Sequence, residues 1–182
     1  VKATLTKEIL LSKNKNQLLI KYTLKKVQRP ITLRLKPFLA FRNAHQLSKS
    51  NLDINIKTKI IKNGFKLNLY EPYPELNIQL SKNAEYVAVP HWYYNIEYLE
   101  EQRRGYDFHE DLYVPGYFEV EFSNNESIIF SASLSSENPE DFENDFSAEK
   151  KIRPLLNNYA SCLKNAASQF ITHIDNKTYV IA

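Results

Sequence analysis

The 182-residue chain contains no Met, one Cys (Cys162), one Trp (Trp92) and three Gly. Each scarcity excludes something. A lone cysteine cannot build a disulfide framework, and a free thiol fits a reducing compartment, so a cytoplasmic protein is expected. Three glycines cannot form a phosphate-cradling loop, which removes the nucleotide-binding signatures that need one. No apolar run approaches the ~20 residues that span a bilayer, and no signal-peptide pattern opens the chain, so no membrane partner is expected. The absence of Met, together with a C-terminus that stops inside the apolar run "NKTYVIA", leads us to expect a fragment of something longer.

What is present is enough for a core. Hydrophobic residues make up 43% of the chain and aromatic residues 13%, which argues against disorder. The net charge of +3 conceals an asymmetry: residues 1–70 carry 16 Lys/Arg against two acids, Glu8 and Asp53, while residues 71–182 carry 8 against 19. A basic block of this size raises a nucleic-acid-binding sandwich as one alternative. The lysines of "LDINIKTKII" and "GFKLNLY" nevertheless alternate with apolar residues, as on the solvated face of an antiparallel sheet. On that reading nucleic acid is not a partner, and the two oppositely charged halves can attract each other within the fold.

Up to about residue 135 the chain reads as strands: 4–12, 17–27, 31–41, 52–61, 65–70, 76–80, 85–90, 92–99, 116–123 and 127–133. Asn63-Gly64 between two alternating runs is a strong hairpin signal. This pattern predicts a mainly β protein, an antiparallel β-sandwich over 1–135 followed by a C-terminal helical connector over 136–182. In the connector, Pro139 followed by acids suits a helix N-terminus. Leu155, Leu156, Tyr159, Leu163, Ala166 and Phe170 form an apolar stripe on a second helix expected to start at Pro154.

Chemistry concentrates in "WYYNIEYLEEQRRGYDFHEDLYVPG", Trp92–Gly116, which reads as a loop-rich surface. Its acids, Glu97, Glu100, Glu101, Asp107, Glu110 and Asp111, invite a glycosidase reading, which needs two carboxylates with one pKa raised. Six acids make a pair easy to find, and pairing with Arg103 and Arg104 is the simpler assignment. The rings of Trp92, Tyr93, Tyr94, Tyr98, Tyr106, Tyr113 and Tyr117 suit sugar stacking as well as core packing. A freestanding carbohydrate-binding module is therefore a further alternative. His45, His91 and His109 match no metal-ligand spacing, so neither a metal nor another cofactor is expected. "FRNAH" sets Arg42 and His45 just after a strand, a common position for functional loop residues.

Three blocks, taken in order, resemble a known family. They are "KEILLSKNKNQLLIKYTLKK…RPITLRLKPFLAFRNAHQL", "WYYNIEYLEEQRRGYDFHEDLYVPGYF" and "NAASQFITHIDNKTYVIA". They resemble the N-terminal region of bacterial and archaeal glycogen debranching enzymes of the amylo-α-1,6-glucosidase type. The middle block fits Y-x-x-E-x-x-R-G-x-D-x-x-E-D closing with P-G: Tyr98, Glu101, Arg104, Gly105, Asp107, Glu110, Asp111, Pro115 and Gly116. The resemblance implies a sandwich joined through helices to an (α/α)6 barrel that hydrolyses α-1,6 branch points. It also implies that this region holds no catalytic residue. Its partners would be its own catalytic barrel and an α-glucan such as glycogen or limit dextrin. Arg42, His45, Trp92, Tyr93, Glu101, Arg104, Asp107, Glu110 and Asp111 would then face barrel or substrate. One departure is that the Glu-Trp-Leu and Gly-Gly-rich stretch usual in the family ahead of Lys7 is not found here.

Overall fold

Alternation of apolar and polar residues builds two sheets, described here from a computed structural model covering residues 3–154 and 156–181. β1 (Thr4–Leu11) and β2 (Gln17–Lys25) form an antiparallel hairpin across "KNKN". They are followed by β3 (Ile31–Leu35), β4 (Thr58–Ile61), β5 (Gly64–Leu67), β6 (Leu76–Leu80), β7 (Glu85–Glu97), a short helix α1 (Leu99–Arg103), β8 (His109–Phe122) and β9 (Ser127–Ser133). One sheet has the order β1-β2-β9-β6-β5-β4 and the other β3-β8-β7, with every pair antiparallel. The protein is mainly β, with short helices towards the C-terminus.

The inner faces of the two sheets make the core. Leu24, Phe65, Ile78, Ile128 and Phe130 from the larger sheet meet Leu35, Phe118, Val120 and Phe122 from the smaller one. Phe65 stacks on Tyr86 at 4.1 Å and on Phe118 at 5.5 Å. Each such side chain taken out of water contributes about 1.5–3 kcal/mol. The outer face of the larger sheet is also covered at its centre. Leu19 and Ile129 pack under Phe142 and Phe146 at the start of α2 (Phe142–Lys151). Burial on both faces explains why β9 reads "SIIF" without alternation. A 3-10 turn, Pro139–Asp141, leads into α2, with the Asn138 side chain accepting from the Glu140 N–H.

The charged halves meet within this unit. Lys15 pairs with Glu137 at 3.1 Å, Lys21 with Glu143 at 2.6 Å, Lys62 with Glu140 at 2.7 Å and Lys66 with Glu75 at 2.8 Å, while Arg34 bonds Glu119. Five of the sixteen cations of the basic block are thereby engaged by carboxylates. Exposed pairs of this kind add little stability singly, typically under about 1 kcal/mol.

Several predicted boundaries move, each for a local reason. The strand expected over 31–41 ends at Leu35, because Pro37 has no N–H for a ladder; only Leu39 returns to pair with Tyr113. The strand expected over 52–61 shrinks to 58–61. Asn51 Oδ1 accepts from the Asp53 N–H at 3.0 Å and Asn55 Oδ1 from the Lys57 N–H at 3.2 Å, local bonds that compete with a sheet. Strands expected over 85–90 and 92–99 are one strand, β7, in which Pro90 sits at a slip in register between Ala88 and His91. The Asn-Gly hairpin forms with a shifted turn. Asn63 takes the positive φ of 53°, while Gly64 already pairs in β5, where a Cβ would lie 2.0 Å from the Ile78 carbonyl oxygen.

Residues Ser147–Ala182 form a second unit. α3 (Tyr159–Gln169) begins not at Pro154 but after Asn158, which forms a capping box with Ser161. Leu156 of the expected stripe precedes the helix, and Leu155 lies outside the described residues. "ITHIDNKTYV" is a hairpin of β10 (Ile171–Ile174) and β11 (Lys177–Val180), with Asp175 and Asn176 both at positive φ in its turn. Among the described residues no helix is long and apolar enough to cross a membrane.

Candidate functional site

The segment expected to be a loop is largely ordered backbone. β7 runs to Glu97, α1 makes one turn, and the Tyr98 N–H donates to the Phe108 carbonyl at 2.9 Å as the chain enters β8. α1 is held by its own charges, Arg103 on Glu100 and Arg104 on Glu101 at 3.3 Å. The Arg104 guanidinium also lies 5.6 Å from the Tyr106 ring centroid.

Beneath this turn Glu110 is fully buried and fully engaged. Arg42 donates through Nε to Oε1 and through Nη2 to Oε2 at 3.1 Å. Ser48 donates to Oε1 from its N–H at 3.0 Å and from its hydroxyl at 2.9 Å, and Tyr98 Oη donates to Oε2 at 2.6 Å. Burial alone would raise the carboxyl, but the bonds from Arg42, Tyr98 and Ser48 outweigh it and bring it down to about 2. Arg42 spends its remaining fork on the Asn43 and Ala44 carbonyls, both at 3.1 Å. One carboxylate thus ties the 42–48 loop to the start of α1.

Asp111 does the matching work one residue on. Its two oxygens accept the Ser50 and Asn95 N–H groups, each at 2.9 Å, and those bonds hold its carboxyl below the ordinary aspartate range. The Asp111 N–H in turn donates to the Ser48 carbonyl at 2.9 Å. Asn95, at φ 54°, sits in a second slip of the β7–β8 register, between Tyr93 and Ile96. Glu110 and Asp111 together therefore pin a surface loop on one side and a β-bulge on the other.

Above these anchors opens a cleft of about 1010 Å³, lined by Arg42, Ala44, His45, Gln46, Leu47, Tyr98, Glu101, Tyr106 and Asp107. Of the residues singled out in the sequence, Arg42, His45, Tyr98, Glu101, Tyr106 and Asp107 line it together. Arg104 flanks it through Glu101, Glu110 anchors two of its walls, Arg42 and Tyr98, and Asp111 is not among its walls. Trp92 and Tyr93 are not among its walls. Trp92 packs against the core, edge-on to Tyr113 at 5.5 Å, and Tyr93 meets Phe38 at 4.7 Å. Sequence reasoning left out Gln46, Leu47 and Ser48. They follow "FRNAH" directly, and nothing in their residue types marks them.

Chemically the cleft offers side-chain hydrogen-bonding groups and two aromatic walls. A glycosidic acid needs a carboxyl that keeps its proton near neutrality. Glu110 is the opposite case, an anion saturated by donors. Among the described residues no group of three or more His, Cys, Asp or Glu is placed to hold a metal ion.

The family profile described as "Glycogen debranching enzyme N terminal" matches residues 1–129. The chain belongs to that family. The match spans this debranching-enzyme N-terminal domain from its first strand into β9, and so includes the 42–48 loop, the Tyr98–Asp111 segment and the whole cleft. Comparison with curated proteins and with solved structures gives no significant match.

Proposed function

We propose that this domain is a non-catalytic β-sandwich that packs on its own catalytic barrel and helps shape the α-glucan site. In that assembly the barrel hydrolyses α-1,6-glucosidic bonds during glycogen breakdown. The observation that carries this reading is the polar cleft of about 1010 Å³ in a member of the debranching-enzyme N-terminal family. Its walls, His45, Glu101, Tyr106 and Asp107, suit a hydroxyl-rich ligand or a polar partner surface. Its floor, Glu110 with Arg42, Tyr98 and Ser48, supplies rigidity rather than proton transfer. Arg104, paired to Glu101 at the rim, orients that carboxylate.

The 182-residue chain alone, incubated with phosphorylase limit dextrin, is expected to release no glucose. Release by the pure chain, abolished by Asp107→Asn, would put catalysis inside this domain and refute the proposal.

A further inference from the structure

A second aromatic surface stands apart from the cleft, on β7. The β7–β8 pairing slips between Ala88 and His91 and again between Tyr93 and Ile96, each time with one extra residue on β7. Bulges of this kind re-aim side chains. Between them Trp92 turns into the core, so its strand neighbours His91 and Tyr93 take the opposite face. There the Tyr93 ring meets Phe38 at 4.7 Å, and His91 stands edge-on to Tyr93 at 5.4 Å and to Tyr94 at 6.4 Å. Tyr94 is 58% exposed and Phe38 45%, both high values for large rings on an ordered strand and its neighbour. Lys36 donates to Tyr93 Oη at 3.1 Å.

We infer that Phe38, His91, Tyr93 and Tyr94 form a stacking platform for an α-glucan chain, a contact separate from the cleft. The ligand class comes from the mixture of groups. A pyranose presents an apolar face and a rim of hydroxyls, and this patch combines the exposed Phe38 and Tyr94 and the half-buried Tyr93 with the Lys36 ammonium, the His91 ring nitrogens and two phenol groups. The core of a protein–protein interface is instead depleted of charge. The inference takes its ligand from the function proposed above and adds a holding site at a distance from any bond cleavage.

The test is electrophoresis of the 182-residue chain in native gels containing glycogen, with maltoheptaose titration alongside. Wild type is expected to be retarded. Tyr94→Ala and Phe38→Ala should each weaken apparent affinity about tenfold, and Tyr94→Phe, which keeps the ring, should stay close to wild type. Tyr94 is exposed enough that its variants should unfold at the wild-type urea midpoint, which separates lost stacking from lost folding. Ile60→Ala, at an exposed β4 residue outside both the cleft and the patch, should leave retardation unchanged. Loss with Asp107→Asn but not with the platform variants would place the glucan in the cleft and overturn the platform. Absence of retardation in the wild type would overturn it too, while leaving the cleft's part in limit-dextrin hydrolysis to be judged on the barrel-containing enzyme.

Discussion

Glu110→Gln isolates the interaction on which the cleft rests. The folded carboxyl lies at about 2 against 4.5 for the free group, a depression produced by Arg42, Tyr98 and Ser48 against the cost of burial. A depressed carboxyl contributes stability that is complete above its unfolded pKa and is lost as pH falls towards the folded one. Linkage therefore assigns ionised Glu110 on the order of 3 kcal/mol at neutral pH, of which about 2 kcal/mol disappears between about pH 7 and about pH 3. Gln preserves the shape but loses the charge and one acceptor, so its NH2 faces either Arg42 Nη2 and Tyr98 or Arg42 Nε and Ser48. Arg42 retains some water access, with its side chain 22% exposed, which limits the penalty. The expected destabilisation at about pH 7 is about 2–3 kcal/mol. Urea unfolding followed by the fluorescence of Trp92 measures it, since that indole packs on the buried Tyr113. Wild type should lose about 2 kcal/mol more than the variant on acidification to about pH 3. Equal stability at neutral pH, or parallel losses on acidification, would refute the assignment.

Three further substitutions test the fold that carries the site. Gly116→Ala should destabilise by about 3 kcal/mol or more, because its Cβ would lie 2.2 Å from the Val87 carbonyl oxygen at a φ of 156°; the urea midpoint reads it. Phe142→Ala should cost about 3–5 kcal/mol by uncovering Leu19 and Ile129, measured in the same way. Tyr113→Phe should be neutral or stabilising by up to about 1 kcal/mol. Among the described residues its buried hydroxyl finds no partner, and burial pushes its pKa up to about 12.

The mainly β architecture was legible because alternation survives where one strand face is buried, as in "GYFEVEFS". It failed where side chains offered the backbone another partner. "LDINIK" alternates as a strand should, yet Asn51 and Asn55 bond the chain two residues on. Pro37 stopped a strand, whereas Pro90 was absorbed by a bulge, and only the sheet geometry distinguishes the two. In the candidate site, Arg42 and His45 stood out as polar loop residues just after an expected strand and Glu101 and Asp107 as members of an unusual motif, and one cleft gathers them. The burial of Glu110 was not readable, because its partners are contributed by Ser48, sixty-two residues away, and by Arg42, sixty-eight away. The Ser50 and Asn95 bonds to Asp111 use backbone N–H groups, which every residue but proline has. The direction of Trp92 was equally hidden, since two bulges reset the alternation around it.

The central claim is that this domain shapes a glucan site whose chemistry lies in the barrel. The most direct measurement is kcat/KM for limit-dextrin hydrolysis by the debranching enzyme carrying this domain, with His45→Ala and Asp107→Asn compared with wild type. The account predicts a fall of about tenfold in kcat/KM for each, with folding stability unchanged. Wild-type kcat/KM in both variants would contradict it.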